Sequence, residues 1–397
     1  MSKYWRVIIT IMVSKTITTR LVTVSALLVV VTSPFLQAQT VIAERARDWD
    51  AVFDRTSGWT GADGIYSIPL TGKELPNSWK HSPTLFVFSD TFWGEVDSAG
   101  NRLPGTIMIN NTVGYLPARV GPDPDAASFF HGGTSTTPVA SFIPDTPSAA
   151  ADEFYWLKDG ICIDGRIHII GARMRKDPAP FYRYGINLIT IPAGDLPPFP
   201  NLIQRETPFW SDSIGSRGQL LLGGAILDLG APDAIQPDGF VYIYGIQEDF
   251  LNKKVIVGRV PRGSFEDFNS WNIWDGTDWV AGIENAAVIT DRTSTEMSVT
   301  QLPNGNFIMV FMRDTLSGVV AIRIAPRPEG PWSGFQEVFT VPNVPGGTFV
   351  TYHAKAHPHL SEADSLLVSI NVNAVDFWAH FSNADIYRPR FIRLRLQ

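Results

Sequence analysis

The sequence predicts an all-β protein, a five-bladed β-propeller with about four antiparallel strands in each blade. One pattern recurs five times after residue 58: an apolar β-type run, a turn, a second apolar run, and often a third run that closes with proline. The second runs contain LFVF, IHII, VYIY, FIMV and LLVS, at intervals of roughly 60–80 residues. No long segment has helical periodicity. Such repeated small sheets are typical of propellers.

The first repeat contains the β-type runs Gly64–Leu70 and Thr84–Phe88, followed by Ile107–Pro117. Asp63 stands just before the first run and Asp90 just after the second. In an antiparallel pair, the start of one strand lies beside the end of the other. We therefore expect the two carboxylates to project from the same edge, a few ångströms apart.

The other four repeats follow the same plan, and their turns use glycine with aspartate or asparagine. Their β-type segments are Trp156–Arg173 and Ile186–Pro192; Leu220–Gly230, Phe240–Gln247 and Val255–Pro261; Thr295–Arg313 and Val320–Pro326; and Tyr352–Leu360, Ser365–Asn373 and Arg390–Leu396. The intervals exceed the ~40–45 residues of a compact blade, so long connecting loops are expected. Six blades and a pair of β-sandwiches are the alternatives, and the regular closing proline favours the propeller over the sandwiches.

The N-terminus has the pattern of a signal peptide over residues 1–38. Four basic residues precede the apolar run Leu21–Leu36, and Leu36-Gln37-Ala38 resembles a cleavage site. Cleavage is favoured over a membrane anchor, and Met12 is an alternative start. The predicted domains are the signal peptide 1–38, an N-terminal extension 39–57, and a propeller catalytic domain 58–397. Secretion or export to the periplasm follows from this organisation.

The composition narrows the possible partners. The formal net charge is −7 and no basic runs occur, which argues against nucleic acid and anionic membranes and suits a neutral substrate. The single cysteine, Cys162, excludes an intramolecular disulfide. The chain has no phosphate-binding glycine loop, no Cys/His metal spacing and no Gly-x-Ser-x-Gly motif. We therefore expect no cofactor and no metal.

One face of the predicted propeller collects the starts of first strands and the ends of second strands. The candidate catalytic residues on this face are the carboxylates Asp63, Asp90, Asp159 and Glu296. Glycosidic cleavage needs one carboxylic acid and one carboxylate, and a further carboxylate can raise the pKa of the acid. The candidate substrate-binding residues are Trp93, Asn110, Asn111, Trp156, Arg173, Arg313, His353, Lys355, His357 and Asn373.

Each candidate also has a structural interpretation. The three aspartates could belong to turns or loop caps. Arg173 and Arg313 could only neutralise neighbouring carboxylates, and His353 and His357 could be buried core histidines. Glu296 has no turn residue beside it, which favours a functional role.

Several segments carry a family resemblance: GWTGADGIYSIPL, LFVFSDTFWG, TEMSVTQLPNGNFIMVF and YHAKAHPHL. Over Gly58–Leu396 the chain resembles a secreted family long catalogued only as a domain of unknown function, which, with its near relatives, includes endo-D-arabinanases. The resemblance implies a five-bladed propeller and a catalytic acidic pair at Asp63 and Asp90. Glu296 and Asp159 match acidic positions on later blades. This sequence departs in the longer connection Thr71–Pro83 and in His353, where the resemblance predicts asparagine.

Together, these features predict an exported glycoside hydrolase that acts on a glycan, with a furanoside polymer such as arabinan as one candidate. The alternative from another class is a non-catalytic carbohydrate-binding propeller. A structural interaction protein is the third hypothesis.

Overall fold

The computed structural model describes residues 40–176, 182–192, 194–212, 217–249, 251–342 and 349–397. The signal peptide predicted for residues 1–38 lies outside the described residues. The described chain from residue 40 onward belongs to one compact unit. None of its helices has the length and apolar character that a membrane crossing requires.

The fold is all-β, with short helices in the connections. Strands β1 to β14 span Val41–Arg45, Ser57–Ala62, Tyr66–Pro69, Thr84–Phe88, Thr91–Glu95, Ile107–Ile109, Thr112–Leu116, Ser128–Phe130, Gly132–Thr134, Thr137–Val139, Phe154–Ile163, Arg166–Met174, Arg183–Ile191 and Ile203–Glu206. Strands β15 to β28 span Trp210–Ser211, Leu220–Asp228, Phe240–Gln247, Lys253–Pro261, Asn272–Trp274, Trp279–Val280, Thr290–Thr293, Met297–Gln301, Phe307–Met312, Val319–Ala325, Gln336–Thr340, Phe349–Ala356, Ser365–Ala374 and Arg390–Leu396. Helices α1 and α2 span Arg47–Val52 and Ala379–Ser382. Single 3₁₀ turns occupy Ser78–Lys80, Arg262–Ser264, Phe268–Ser270, Ile283–Asn285 and Pro358–Leu360.

Within the described residues, five sheets contain four or more strands. Their strand orders are β3-β4-β7-β8, β11-β12-β13-β14, β15-β16-β17-β18-β19-β20 with β21 beside β18, β22-β23-β24-β25, and β1-β28-β27-β26. Two smaller sheets, β2-β5-β6 and β9-β10, lie in the connections of the first repeat. The pairing is antiparallel throughout these ladders. These sheets follow one another along the chain, as the repeat pattern predicts.

The predicted β-type runs coincide closely with strands, and Thr84–Phe88 and Phe240–Gln247 match β4 and β17 without a shift. The run Ile107–Pro117 differs, because it divides into β6 and β7 in two different sheets. Asn111 stands at the division. Its side chain exchanges hydrogen bonds with the main chain of Phe142 in place of a strand partner, which turns the chain from one sheet into the next.

Residues 41–53, predicted to form an extension outside the propeller, are an integral part of the fold. Strand β1 pairs with the C-terminal strand β28 from Val41↔Leu396 to Arg45↔Ile392. Helix α1 follows, and the buried Phe53 just after it stacks on Phe391 with ring centroids 5.3 Å apart. The boundary at residue 58 therefore does not separate an extension from the domain. Local periodicity could not show this, because the partners of β1 lie at the other end of the chain.

The first long strand of each large sheet lies against the first strand of the next sheet, in the order β3, β11, β16, β22 and β26. The fifth sheet contacts the first through a hydrogen bond of 2.6 Å between Ser67 Oγ and His357 Nδ1. Strands β11, β16 and β26 are interrupted by register shifts at Leu157/Gly160, Leu222/Ala225 and Tyr352/Lys355. Such bulges re-aim side chains next to functional sites. Here they turn charged residues of β11 and β26 toward the middle of the molecule.

Candidate functional site

Asp63 and Asp90 lie side by side at one edge of the first large sheet. Asp63 connects β2 to β3, and Asp90 connects β4 to β5. Their main chains are joined directly, since Asp63 N–H donates to Asp90 O at 3.1 Å and Ser89 N–H donates to Asp63 O at 2.9 Å. Both residues remain partly accessible to solvent. The hairpin pattern of the sequence thus correctly predicts a shared edge for the two carboxylates.

Asp63 receives hydrogen bonds from two phenols. Tyr352 Oη donates to Asp63 Oδ2 at 2.8 Å, and Tyr387 donates to the same carboxylate. Burial raises the pKa of Asp63 above its ordinary value, while the positive charge of His353 and the two phenols oppose this rise. Burial also raises the pKa of both tyrosines well above the usual range, so the phenols keep their protons and act as donors.

Asp90 has a different environment. Asn110 Nδ2 donates to Asp90 Oδ1 at 3.3 Å, and the Trp156 indole donates to the same side chain. Burial, followed by the adjacent negative charge of Asp63, raises the pKa of Asp90 to about 7. Near neutral pH, Asp90 therefore holds a proton for about half of the time, which is the property a general acid requires.

Glu296 is the third carboxylate of this site, and it is ionised. It lies just before β22, with Lys158 Nζ 3.6 Å from Oε1 and His353 Nε2 against Oε2. Burial alone would raise its pKa, but the charges of His353 and then Lys158 hold the pKa of Glu296 at about 2. The negative charge of Glu296 also raises the pKa of Asp63, so the three carboxylates form one electrostatic unit.

His353 adopts a left-handed backbone with φ of 54° at the bulge of β26. Asparagine, aspartate and histidine tolerate this region best among non-glycine residues, which makes histidine compatible with a position where the resemblance predicts asparagine. Asn371 shares a hydrogen bond of 2.7 Å with His353 Nδ1, so the other ring nitrogen faces Glu296. Asn373 joins the network by donating to Tyr352 Oη at 3.0 Å.

The structure separates Asp159 from this group, contrary to the prediction that it belongs to the catalytic carboxylates. Its Oδ2 accepts hydrogen bonds of 2.8 Å from both Lys355 Nζ and the Ile226 N–H, and Oδ1 accepts from the Gly160 N–H at 3.0 Å. Asp159 and Lys355 are both buried. Lys355, predicted to bind substrate, instead forms a buried ion pair with Asp159.

The Asp159–Lys355 pair lines a cavity of about 350 Å³ that is also lined by Asn304. Asn304 follows β22, whereas Glu296 precedes it, so the cavity and the three-carboxylate site lie toward opposite ends of this strand. The buried Tyr66 lies between them, and burial and the negative charges of Glu296, Asp159 and Asp63 all raise the pKa of its hydroxyl. This cavity is therefore not the location of the acidic pair.

Several predicted substrate-binding residues have structural roles instead. Asn111 is fully buried and bonded to the main chain of Phe142 and Tyr155. His357 is fully buried between Ser67 and Ser369, at 2.6 and 2.8 Å. The polar atoms of both side chains are hydrogen-bonded within the protein, so none is left to bind a ligand.

The two predicted arginines lie in other ion-pair groups. Arg173 is buried, with Glu153 Oε2 at 3.5 Å and a hydrogen bond of 2.7 Å to Ser148 Oγ. Arg313 pairs with Glu337 and with Asp314. The structural interpretation of these residues, as partners of neighbouring carboxylates, agrees with the observed contacts.

Trp93 has contacts of its own at a separate surface groove. Its ring meets the His131 ring edge-on, with centroids 4.5 Å apart, and lines a separate shallow groove with Gly58 and Glu95. The residues that sequence reasoning missed are Lys158, Arg183, Tyr352 and Tyr387, whose charges or hydroxyls act on the three carboxylates. Tyr352 was adjacent to a named candidate, but only the contacts reveal its role.

The shifted pKa of Asp90 predicts a pH-dependent stability. Its pKa is 3.8 ordinarily and about 7 in the fold, so the folded state binds more protons than the unfolded state between these values. The free energy of unfolding should therefore fall by roughly 1–3 kcal/mol as pH rises from about 4 to 7, allowing for partial solvent access. Urea unfolding of wild type and Asp90→Asn at pH 4.5 and 7.5 measures this difference. Equal pH dependence in both proteins would contradict the assignment.

No group of three or more histidine, cysteine, aspartate and glutamate side chains within the described ranges is arranged to hold a metal ion. The side chains described at the three-carboxylate site are acids, phenols and cations. Two adjacent carboxyls, one with a pKa near neutral pH, next to a third that stays ionised, can donate a proton and stabilise positive charge.

Among solved structures, the chain is similar to a protein from Bacteroides ovatus ATCC 8483 that is provisionally named a hydrolase. The TM-score is 0.68 at 18% identity, covering 91% of this chain and 92% of that one, which shows a shared fold. A GH43_1 enzyme from Xanthomonas citri in complex with xylose has a TM-score of 0.44 at 12% identity, with 88% and 93% covered. An α-L-arabinofuranosidase from Podospora anserina in complex with cellotriose has 0.43 at 12%, with 85% and 98% covered. Neither of these two similarities, at a TM-score below 0.5, bears on the activity of this chain.

A search of curated protein sequences finds no significant match. A family model described as a domain of unknown function, DUF5005, matches residues 46–396. The match begins one residue before α1 and ends with β28, so it covers four large sheets completely and every strand of the fifth except β1. The chain therefore belongs to the DUF5005 family.

Proposed function

We propose that this protein is a glycoside hydrolase built on a five-bladed β-propeller, and that it cleaves a neutral glycan at the three-carboxylate site. The observation that carries the proposal is the pairing of Asp63 and Asp90 at one partly accessible edge, with the pKa of Asp90 near 7. Glycosidic cleavage requires two carboxyl groups, one of which can supply a proton.

In this proposal Asp90 is the general acid that protonates the leaving oxygen of the glycosidic bond. Asp63 is the carboxylate that attacks the sugar or activates water, because two phenols donate to it and favour its charged form. Glu296 keeps its negative charge at all pH values of interest, and it would stabilise the positive charge that develops on the sugar ring.

The five-bladed arrangement is supported by the five large sheets and by the order in which their first strands meet. Furanoside polymers such as arabinan are the first substrates to test, given the family resemblance of the acidic pair. We also propose that residues 1–38 direct export and are removed. The protein recovered outside the cytoplasm should then begin at residue 39, which N-terminal sequencing would show.

Incubation of the purified protein with a panel of polysaccharides tests the proposed activity. The panel contains arabinan, galactan, arabinoxylan and β-glucan, and the measurement is the appearance of reducing ends over time. We expect release from at least one of them, with a rate that falls as pH rises above 7 and Asp90 loses its proton. Retention of a polymer without any cleavage would instead support the carbohydrate-binding alternative.

A further inference from the structure

Two neighbouring aromatic side chains are unusually exposed. Among the large hydrophobic residues that are exposed in the described part of the chain, the only aromatic ones are Phe377, at 46% exposure, and Trp378, at 72%. They stand in the connection between β27 and β28, at the start of α2. Single exposed apolar residues need no explanation, but adjacent exposed aromatic rings indicate a contact surface.

These rings are held in place from below. Phe377, Trp378 and Phe381, together called the aromatic platform, have mutual centroid distances of 5.7–5.9 Å. Phe377 and Phe381 also pack on the fully buried Phe92, at 6.2 and 5.7 Å. An aromatic surface that is already ordered loses little conformational entropy when a ligand binds.

The aromatic platform is linked to the three-carboxylate site through buried and half-buried side chains. Phe92 follows Asp90 by two residues, which is roughly 7 Å of extended chain. From α2, His380 Nε2 shares a hydrogen bond of 2.8 Å with Asn373, which donates to Tyr352 at 3.0 Å, and Tyr352 donates to Asp63 at 2.8 Å. The same connection supplies Tyr387 to Asp63.

The charges around the aromatic platform select its ligand. The exposed charged residues of the connection 375–389 are Asp376 and Asp385, and Asp385 pairs with Arg388 and Arg390, neither of which is exposed. Arg102, which lies beneath, is 4% exposed and donates to the main-chain oxygens of His380 and Ala384. Carboxylates without exposed cations disfavour anionic lipids and anionic polysaccharides, whereas the apolar face of an uncharged sugar ring suits an aromatic surface.

We propose that the aromatic platform is a binding subsite for a neutral polysaccharide, and that it holds the polymer segment next to the one positioned at Asp63 and Asp90. This inference rests on the proposed function for the identity of the ligand. It assigns Phe377 and Trp378 to substrate binding, and it predicts that the protein prefers polymers over short fragments.

Native gel electrophoresis tests the subsite by measuring how strongly a gel containing arabinan, galactan or arabinoxylan retains the protein. Gels containing polygalacturonate and binding to anionic phospholipid vesicles test the anionic ligands. The compared proteins carry Asp90→Asn to prevent cleavage, alone or with Trp378→Ala or Phe377→Ala/Trp378→Ala. The matched control is Leu196→Ala. Leu196 is 59% exposed and lies beyond the end of β13, in the second large sheet. We expect about tenfold weaker retention by neutral polymer after Trp378→Ala, with no change after Leu196→Ala.

Equal retention of the Trp378→Ala and parent proteins would overturn the subsite, as would binding only to polygalacturonate or to vesicles, or to no polymer at all. The outcome is separable from that of the proposed function. If retention depends on Trp378 but the wild type releases no reducing ends, the subsite is supported and the hydrolase proposal is refuted. If the wild type and Trp378→Ala cleave polymer with the same KM, the hydrolase proposal is supported and the subsite is refuted.

Discussion

Replacing Asp90 with asparagine is expected to reduce glycan hydrolysis by about 10²–10⁴-fold, the usual contribution of a general acid. Asparagine preserves the shape of the side chain and an oxygen that can accept from Asn110, but it cannot deliver a proton. The release of reducing ends from the polymer identified in the panel measures the effect. Circular dichroism and thermal unfolding show whether the fold is kept.

Asp63→Asn should reduce hydrolysis by a similar factor, because an amide neither attacks the sugar nor activates water. The two variants should differ in pH dependence: Asp63→Asn removes the neighbouring charge, so the pKa of Asp90 should fall from about 7. Asp164→Asn is the matched control, since Asp164 lies in the exposed β11–β12 turn with φ of 50°, which asparagine tolerates. Full activity in both the Asp63 and Asp90 variants would refute the catalytic assignment.

The second large effect concerns stability rather than activity. Lys355→Met leaves the carboxylate of Asp159 buried without its cation, 2.8 Å from where the ammonium stood, and should destabilise the fold by about 3–5 kcal/mol. Urea unfolding gives the free energy of unfolding. Adding Asp159→Asn removes the uncompensated charge, so the double variant should recover much of the loss.

Lys254→Met provides the comparison for this stability experiment. Lys254 forms an ion pair of 3.0 Å with Asp249, but both side chains are about a third or more exposed, so a loss below about 1 kcal/mol is expected. A loss of the same small size in Lys355→Met would contradict the conclusion that the Asp159–Lys355 pair is a buried structural element.

Much of the fold follows from local patterns in the sequence. The runs around LFVF, VYIY and FIMV combine β-branched and aromatic residues between glycine-containing turns, and they form β4, β17 and β23. The adjacency of Asp63 and Asp90 follows as well, because antiparallel pairing converts a sequence pattern into a spatial neighbourhood.

Pairings between distant segments did not follow. Strand β1 pairs with β28, which lies at the other end of the sequence, and no pattern in either strand identifies the other as its partner. The bulges in β11 and β26 have a larger consequence, because they send Lys158 to Glu296 but Asp159 to Lys355. Two adjacent residues therefore serve two different sites, at a register shift that the sequence pattern does not reveal.

The sequence by itself determined that this is an all-β chain of repeated hairpins with an acidic pair at the edge of the first one. Hydrophobic alternation and turn chemistry act over a few residues, and they suffice for that much. Only the tertiary structure decided which charges are neutralised and which remain available. That depends on burial and on partners contributed by other sheets: His353 and Lys158 keep Glu296 ionised, Lys355 removes Asp159 from the site, and two tyrosines from the last sheet and its connection face Asp63.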